Sequence, residues 1–335
     1  TSITSSSAVL NWTAASPAPA NGYEYYIGIT SPTGASPATG TVAAGVTTSG
    51  TVSGLASGQL YYYAVRSVCS ASDTSSWSTI GTFTTYCSPT NVTYYEGFDG
   101  PSVVVPATAP NHGNIPTCTY QNNAGLGNPW VTTFEDYYPD LNMFFQGNFL
   151  MYNGSNPGNG NPADVWWFTR GLNLTGGTTY RISYLFSGTD TPSTVQNKLK
   201  IGLATSPLAS AVTTILDTNA NIKGGPSENI INFTAPSTGV YYVGLNCFSN
   251  PNQGQLAIDD VTVAPSVCLV PSAVSVANIT ASSALLSWTS PSPAPSNGFV
   301  YFYNTTGVAP TNATPPSGSV GVGVTSVNLT GLTGS

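Results

Sequence analysis

Charged residues are scarce in this chain of 335 residues. Asp, Glu, Lys and Arg together make up 6% of the sequence, against roughly 25% in an average soluble protein, and residues 266–335 contain none of them. The six Lys and Arg face 13 Asp and Glu, which gives a net charge of −7 at pH 7. Because so few cations cannot form a basic surface for nucleic acid or anionic lipid, we expect no nucleic-acid partner.

Histidine, catalytic motifs and long apolar runs are also lacking. His112 is the one histidine, and it does not accompany a GxSxG nucleophile motif or a phosphate-binding glycine loop. No apolar run approaches the roughly 20 residues of a membrane-spanning helix. These absences predict a protein that is not an enzyme and does not insert into a membrane.

Helical periodicity is nearly absent, and strand patterns take its place. Short runs rich in Val, Ile, Tyr and Thr, such as residues 61–68 and 180–188, alternate between apolar and polar positions. Clusters of Gly, Pro, Asn and Ser separate them. This spacing is typical of antiparallel strands in β-sandwiches and predicts an all-β fold.

A stretch near the start of the chain returns near its end. Residues 4–22 resemble residues 280–298, with Trp12 matched by Trp288 at an offset of 288 − 12 = 276. Repetition at a long offset predicts a modular array whose unit is about 276 residues. The first copy is missing its first strand, and the second copy ends before the equivalent of residues 60–69, so we expect its apolar face to be open unless more chain completes it.

The composition between the two copies differs from that of the copies. Residues 87–265 hold 11 of the 13 acidic residues and five of the six basic ones. We therefore predict three domains, at residues 1–86, 87–265 and 266–335.

Both copies resemble a fibronectin type III module. The features that carry the resemblance in the first copy are Trp12, the Gly54-Leu55 turn and Tyr61 on a long strand. The resemblance implies a fibronectin type III-like sandwich at 1–86 and a truncated one at 266–335.

The five cysteines have no CxxC spacing, so we expect disulfides in an oxidising compartment or, alternatively, buried thiols. The segment from Cys69 to Cys87, with a Trp-Ser pair between them, is similar to type III modules in secreted Bacteroidota proteins. That resemblance implies a Cys69–Cys87 disulfide. Cys118 with Cys247 is the second expected pair, which leaves Cys268 without an obvious partner.

The central block resembles the jelly-roll domains called cleaved-adhesin or choice-of-anchor J, which are distantly similar to MAM domains. Six motifs carry this resemblance in order along the chain: YYEGFDG at 94–100, IPTCT at 115–119, NFLMYNGS at 148–155, DVWWFTRGLNLTGGTTYRISY at 164–184, GVYYVGLNCFS at 239–249 and LAIDDVTV at 256–263.

A jelly roll places its first and last strands side by side, which would bring two acidic pairs together. Close carboxylates repel unless a cation lies between them, and oxygen ligands suit Ca²⁺. The resemblance implies a structural calcium site here; the alternative is solvated acids at a strand edge. The candidate ligands are Glu96, Asp99, Asn148, Asp164, Asp259 and Asp260.

Aromatic side chains offer surfaces on which sugars or peptides could stack. Adjacent Trp166 and Trp167 should point to opposite faces of a strand, so one of them belongs to the core. The other packs against a neighbouring domain or stacks on a ligand. The candidate ligand-binding residues are Trp130, Tyr137, Tyr138, Trp166 and Trp167.

Together these features predict a non-catalytic segment of a long, repetitive extracellular adhesin or surface filament protein. Its partners would be glycans or surface proteins and neighbouring repeats of the same polypeptide, with many weak contacts adding up to avidity. The resemblance to Bacteroidota proteins implies type IX secretion and a cell-surface location. The alternatives are a carbohydrate-binding accessory region of a secreted hydrolase and a purely structural spacer.

Overall fold

The computed structural model describes residues 2–106, 112–123, 127–134, 145, 147–154, 162–189, 196–266, 269–291, 294–311 and 314–333. Within these ranges the regular structure consists of β-strands and one 3₁₀ turn at Ala209–Ala211, with no α-helix. The predicted all-β class is confirmed. The described residues also include no helix long and apolar enough to cross a membrane.

The N-terminal segment, residues 2–86, forms two facing sheets. One has the order β1-β2-β5; the other has the order β4-β3-β6-β7, with β8 also paired to β6. Leu10, Ile27 and Phe83 are buried between them, and the Tyr61 hydroxyl accepts the Ala56 N–H at 2.8 Å. The strands are β1 Ser2–Ile3, β2 Ser7–Val9, β3 Tyr23–Gly28, β4 Gly40–Val42, β5 Val52–Ser53, β6 Leu60–Ser70, β7 Asp73–Thr74 and β8 Gly81–Thr84.

An ion pair stacked on tryptophan lies on the outer face of the second sheet. Arg66 Nε donates to Glu24 Oε2 at 2.7 Å, and the guanidinium carbon lies 4.3 Å from the ring centroid of Trp77. Because β3 and β6 pair with Glu24 opposite Arg66, the sheet itself aligns the two charges.

The central segment, residues 87–266, is a larger β-sandwich. One sheet has the order β12-β13-β21-β16-β19, with β10 also on β21; the other has the order β11-β14-β20-β15-β9, with β17 between β20 and β18. Apolar side chains such as Phe98, Trp167 and Ile258 fill the space between them. The strands are β9 Thr90–Asn91, β10 Tyr94–Glu96, β11 Tyr120–Asn123, β12 Trp130–Phe134, β13 Asn148–Asn153, β14 Val165–Phe168, β15 Leu172–Leu174, β16 Thr179–Gly188, β17 Asn197–Ala204, β18 Val212–Ile222, β19 Gly224–Thr234, β20 Gly239–Cys247 and β21 Gln255–Pro265.

The C-terminal segment, residues 269–333, forms a three-stranded sheet in the order β22-β23-β26 and a pair β24-β25. It repeats local geometry of the N-terminal segment: Trp288 meets Phe299 edge-on at 5.4 Å, as Trp12 meets Tyr23 at 5.6 Å. Many of its apolar side chains are exposed in the described residues. The strands are β22 Ser272–Ala277, β23 Ser283–Thr289, β24 Phe299–Tyr301, β25 Gly318–Val320 and β26 Ser326–Thr330.

The disulfide predictions were wrong, because Cys87 pairs with Cys118. β8 runs antiparallel to β6 with Thr84 opposite Leu60, so Cys87 follows at the opposite end of β6 from Cys69, about 30 Å away for nine strand residues. Cys69 is an exposed thiol, and Cys247 is a buried thiol within β20. Cys268 lies outside the described residues.

The same disulfide lies beside a contact between the N-terminal and central segments. The Tyr86 ring meets Tyr120 at 5.2 Å and Tyr242 at 6.1 Å, and the Cys87 N–H donates to the Tyr120 hydroxyl at 2.7 Å. Arg170 Nε donates to the Ser88 carbonyl. A ring cluster and a covalent bond therefore fix the point where the chain enters the central sandwich.

Candidate functional site

Among the described residues, a cluster of acidic side chains lies at a gap along strand β21. On one edge of β21, β13 pairs with residues 255–258 and β10 pairs with residues 261–263. Asp259 and Asp260 occupy the positions between these two partners. The predicted pairing of the Glu96 strand, β10, with the last strand of the central segment is present, with Glu96 opposite Val261.

A bulge on β21 places the side chains of Asp259 and Asp260 in different environments. Against β16, Ser183 pairs with Thr262 but Leu185 pairs with Asp259, so β21 carries one extra residue there. Asp260 adopts a positive φ of 52°. Asp259 is buried, with 3% of its surface exposed, whereas Asp260 is half-buried at the rim.

Burial dominates the electrostatics of Asp259. The pKa of its carboxyl is raised to about 8, mainly by loss of solvent and also by the charges of Asp260, Asp99 and Glu96, while the hydrogen bond from the Asp260 N–H opposes the rise. Burial and Asp99 also raise the pKa of Glu96. All the charged groups that shift Asp259 are carboxylates, so the site favours a proton or an external cation.

Asp99, three residues after the end of β10, holds the start of β13. Its Oδ1 accepts the Asn148 N–H at 2.7 Å. A Cβ on Gly147 would lie 2.5 Å from the same oxygen, and Gly147 has a φ of +89°. Glycine at 147 is therefore required both by the backbone and by the carboxylate, and Asn148 comes to the site through its backbone.

An exposed tyrosine, Tyr95, lies at the rim of this cluster of acidic side chains. Tyr95 has 62% of its surface exposed, and its hydroxyl donates to Asp260 Oδ1 at 2.5 Å. This bond is the main cause that raises the pKa of Tyr95 to about 12. Sequence reasoning missed Tyr95, although its place beside Glu96 on an edge strand was the signal that could have identified it.

We define the acidic site as the side chains of Glu96, Asp99, Asp259 and Asp260. Because each of them offers carboxylate oxygens, the site suits a hard cation. The side chains do not by themselves enclose an ion. Among the described residues, no three His, Cys, Asp or Glu side chains converge closely enough to hold a metal.

Asp164 belongs elsewhere, which corrects its inclusion among the candidate ligands. It precedes β14 in the other sheet and is exposed. Its Oδ1 accepts a hydrogen bond from Asn246 Nδ2 at 2.9 Å. The sandwich therefore separates Asp164 from the acidic site.

The predicted stacking tryptophans are all buried. Trp130 and Trp167 lie in the main core, with 1% and 0% of their surfaces exposed, and Trp130 Nε1 donates to the Val165 carbonyl at 2.9 Å. Trp166 does point to the opposite face, as predicted, but it stacks on Phe168 at 5.5 Å beside Tyr242. Tyr137 and Tyr138 lie outside the described residues.

Comparisons with known proteins give structural likenesses at low sequence identity. Neither the protein-family models nor the curated proteins give a match. Among solved structures, the K1 cleaved adhesin domain of Lys-gingipain from Porphyromonas gingivalis W83 has 15% identity and a TM-score of 0.39, covering 52% of this chain and 99% of that one.

Two further solved structures show the range of neighbours. The K2 cleaved adhesin domain of Lys-gingipain has 16% identity and a TM-score of 0.38, covering 52% of this chain and 99% of that one. TmCBM61, determined in complex with β-1,4-galactotriose, has 10% identity and a TM-score of 0.31, covering 45% of this chain and 90% of that one. The solved structures similar to this chain include adhesin domains and carbohydrate-binding modules.

Proposed function

We propose that this chain is a non-catalytic segment of an extracellular adhesin, in which calcium at the acidic site stabilises the central sandwich. The observation that carries this proposal is Asp259, a buried carboxyl whose charged neighbours are all carboxylates. Without a cation, the site opposes ionisation. With one, the same group becomes a source of stability.

Calcium fits the chemistry of the donors. Ca²⁺ takes about six to eight oxygen ligands and tolerates irregular geometry. Asp259 and Glu96 would supply carboxylate oxygens, with Asp99 and Asp260 at the rim, and water and backbone carbonyls would complete the shell. Bound there, calcium would join β10 to β21, which come from opposite ends of the central segment.

An extracellular location agrees with the covalent chemistry and the composition. The Cys87–Cys118 disulfide is stable in an oxidising compartment. Export through type IX secretion and display on a cell surface follow from the resemblance of the sequence motifs to Bacteroidota proteins. Further copies at the 276-residue offset would make such a protein multivalent.

Glycans are the ligand class that the rim of the acidic site favours. Tyr95 presents an exposed ring beside the half-buried carboxylate of Asp260. A sugar can stack on such a ring while its hydroxyls bond to carboxylates or to calcium. The alternative, an accessory carbohydrate-binding region of a secreted hydrolase, uses the same surface and differs in what else the full polypeptide contains.

Calcium binding is tested by calorimetric titration of the full chain and by thermal unfolding with and without a chelator. We expect saturable calcium binding and a transition of the central sandwich that shifts downward when calcium is removed. Asp259→Asn should abolish both effects. Asp73→Asn is the matched control, because Asp73 is exposed on β7, and it should retain them. Equal unfolding with calcium and with chelator would contradict the calcium proposal.

Glycan binding is tested on a glycan array with the calcium-loaded chain. We expect binding that Tyr95→Ala abolishes and that Tyr303→Ala leaves intact, since Tyr303 is 45% exposed but lies in the C-terminal segment. Calcium binding with no glycan bound would favour a structural spacer over an adhesin.

A further inference from the structure

An arginine on the outer face of the sheet that contains β21 has no partner for its charge. Side chains alternate along β16, so Tyr180 and Ile182 enter the core and Arg181 points outward. Arg181 is half-buried, and its Nε atom has no hydrogen-bond partner among the described residues. Within the same residues its guanidinium forms no ion pair. Because a guanidinium N–H removed from water is unfavourable without an acceptor, an anion bound here would be stabilised.

The surface beside Arg181 is low and polar. Arg181 lies between Asn232 of β19 and Ala264 of β21. Ser183, two residues further along β16, lies next to Thr262 of β21. These side chains share the outward face by the two-residue period. Because Ser183, Thr262 and Ala264 are small, β16 and β21 form a shallow floor whose hydroxyls face outward.

Larger side chains stand on both sides of this floor. Tyr95 pairs with Thr262 from β10, and its ring is largely exposed. Ile230 pairs with Ser183 from β19 and is 49% exposed. We name this surface the outer trough, and its residues are Tyr95, Arg181, Ser183, Ile230 and Thr262.

The spacing within the outer trough suits two linked sugars. Adjacent strands lie about 4.8 Å apart and alternate residues of one strand about 7 Å apart, so about 12 Å separates the α-carbons of Tyr95 and Arg181. A sugar stacked on Tyr95 would place the next sugar over Ser183, within reach of Arg181. In the other direction the face is covered, because Leu185 packs against the buried cluster that contains Phe149.

The acidic residues of the described chain do not supply the missing anion. Glu228 lies on the same face of β19 but pairs with Leu185, which places it about 14 Å along β19 from Asn232, the neighbour of Arg181. Asp260 is bonded to the Tyr95 hydroxyl. Residues 266–335 contain no Asp or Glu. The anion that suits Arg181 therefore belongs to a ligand.

A single carboxylate matches the charge of the outer trough. The planar guanidinium of Arg181 presents its N–H groups in a fork that fits a carboxylate. Polysulfated chains bind to clusters of Lys and Arg, whereas this chain has six such residues in all. An acidic peptide that adds to a sheet binds along a strand edge, whereas the outer trough lies on a face. These features favour a sugar that carries a carboxylate.

We propose that the outer trough binds an acidic glycan, with one sugar stacked on Tyr95 and the carboxylate of the adjoining sugar bound to Arg181. This inference rests on the proposed glycan binding at Tyr95 and specifies the class of glycan. The acidic site lies beside Tyr95, and its carboxylates repel an anionic ligand unless calcium offsets their charge. Binding should therefore be strongest with calcium present.

A glycan array with matched pairs tests the carboxylate. The full chain, in calcium, is applied to glycans that contain uronic or sialic acid and to the same glycans with their carboxyl groups reduced to alcohols. We expect at least about tenfold weaker binding after reduction, because the charge-assisted bonds to the guanidinium are lost. Equal binding within the pairs would overturn this inference and leave the proposed glycan binding intact. Binding to no glycan would overturn both.

Arg181→Met shows whether this arginine recognises the carboxylate. The variant should bind acidic glycans as weakly as the parent binds the reduced ones. Lys200→Met is the matched control, because it removes one cation from β17 in the other sheet, and it should keep the preference for acidic glycans. An Arg181→Met chain that keeps this preference would overturn the proposal.

Two further measurements separate recognition from misfolding and from a protein ligand. Without ligand, Arg181→Met should unfold at or above the midpoint of the parent, because an unpartnered N–H is removed. Acidic glycans should raise the midpoint of the parent and not that of the variant. Polyglutamate that binds as tightly as the acidic glycans would overturn the glycan assignment in favour of an acidic protein.

Discussion

At the scale of single residues, the Cys87–Cys118 bond is the clearest stabilising feature of the chain. It closes a loop with a sequence separation of 31, and replacing both cysteines with serine should lower the free energy of unfolding by about 3–4 kcal/mol. Denaturant unfolding measures this loss. Cys69→Ser is the control and should unfold like the parent, because Cys69 is exposed and unbonded. A non-reduced peptide linking Cys69 to Cys87 would contradict the assignment.

Asp259 predicts an unusual dependence of stability on pH when calcium is absent. Its folded-state pKa of about 8 exceeds the ordinary value of 3.8, so the folded state holds a proton that the unfolded state releases. Stability therefore falls as pH rises between about 4 and 8. Unfolding in chelator across this range should show the fall in the parent and a smaller one in Asp259→Asn. Parallel curves for the two proteins would rule out this role for Asp259.

The sequence shows which residues are acidic or apolar, but it does not show how completely the fold buries each side chain. Alternation on β14 predicted that Trp166 and Trp167 face opposite ways, and they do. It could not show that Tyr120 and Tyr242 cover the second face as well. That cover arises from residues far apart in the chain, and periodicity within one strand carries no information about it.

At the scale of strands and their connections, the Tyr86 ring connects the N-terminal segment to the central segment. Tyr86→Ala removes its edge-on contacts with Tyr120 and Tyr242, each of a kind worth about 0.5–1.5 kcal/mol beyond area burial. We expect the unfolding of the N-terminal segment to separate from that of the central segment in calorimetry. Tyr303→Ala, exposed in the C-terminal segment, serves as control. An unaltered single transition would show that the two segments are not coupled through this ring.

At the same scale, sequence motifs predicted which strands are neighbours but not where a bulge occurs. The order of motifs predicted that the strand carrying Glu96 would be a neighbour of the last strand of the central segment, and Glu96 opposite Val261 confirms it. The bulge at Asp260 was not predictable, because the alternation of residues within one strand does not show where an extra residue is inserted. Since a bulge changes which face a side chain occupies, it decides that Asp259 rather than Asp260 is buried.

At the scale of the whole molecule, composition and repetition predicted more than any single motif. The concentration of charge in residues 87–265 marks the part of the chain that forms the large sandwich. The repeat predicted matching local geometry in the two outer segments, which the Trp12–Tyr23 and Trp288–Phe299 pairs display. Cysteine positions failed as a guide because disulfide pairing depends on which ends of strands meet, and Thr84 opposite Leu60 decides that here.

The ion pair between Arg66 and Glu24, which Trp77 covers on one side, affects how this chain responds to salt. Salt weakens interactions between exposed charges, but with six cationic side chains in 335 residues there are few such interactions to weaken. This pair is half-buried, aligned by its strands and covered on one side by an indole, so dissolved ions reach it poorly. The strength of this ion pair should therefore depend little on salt concentration.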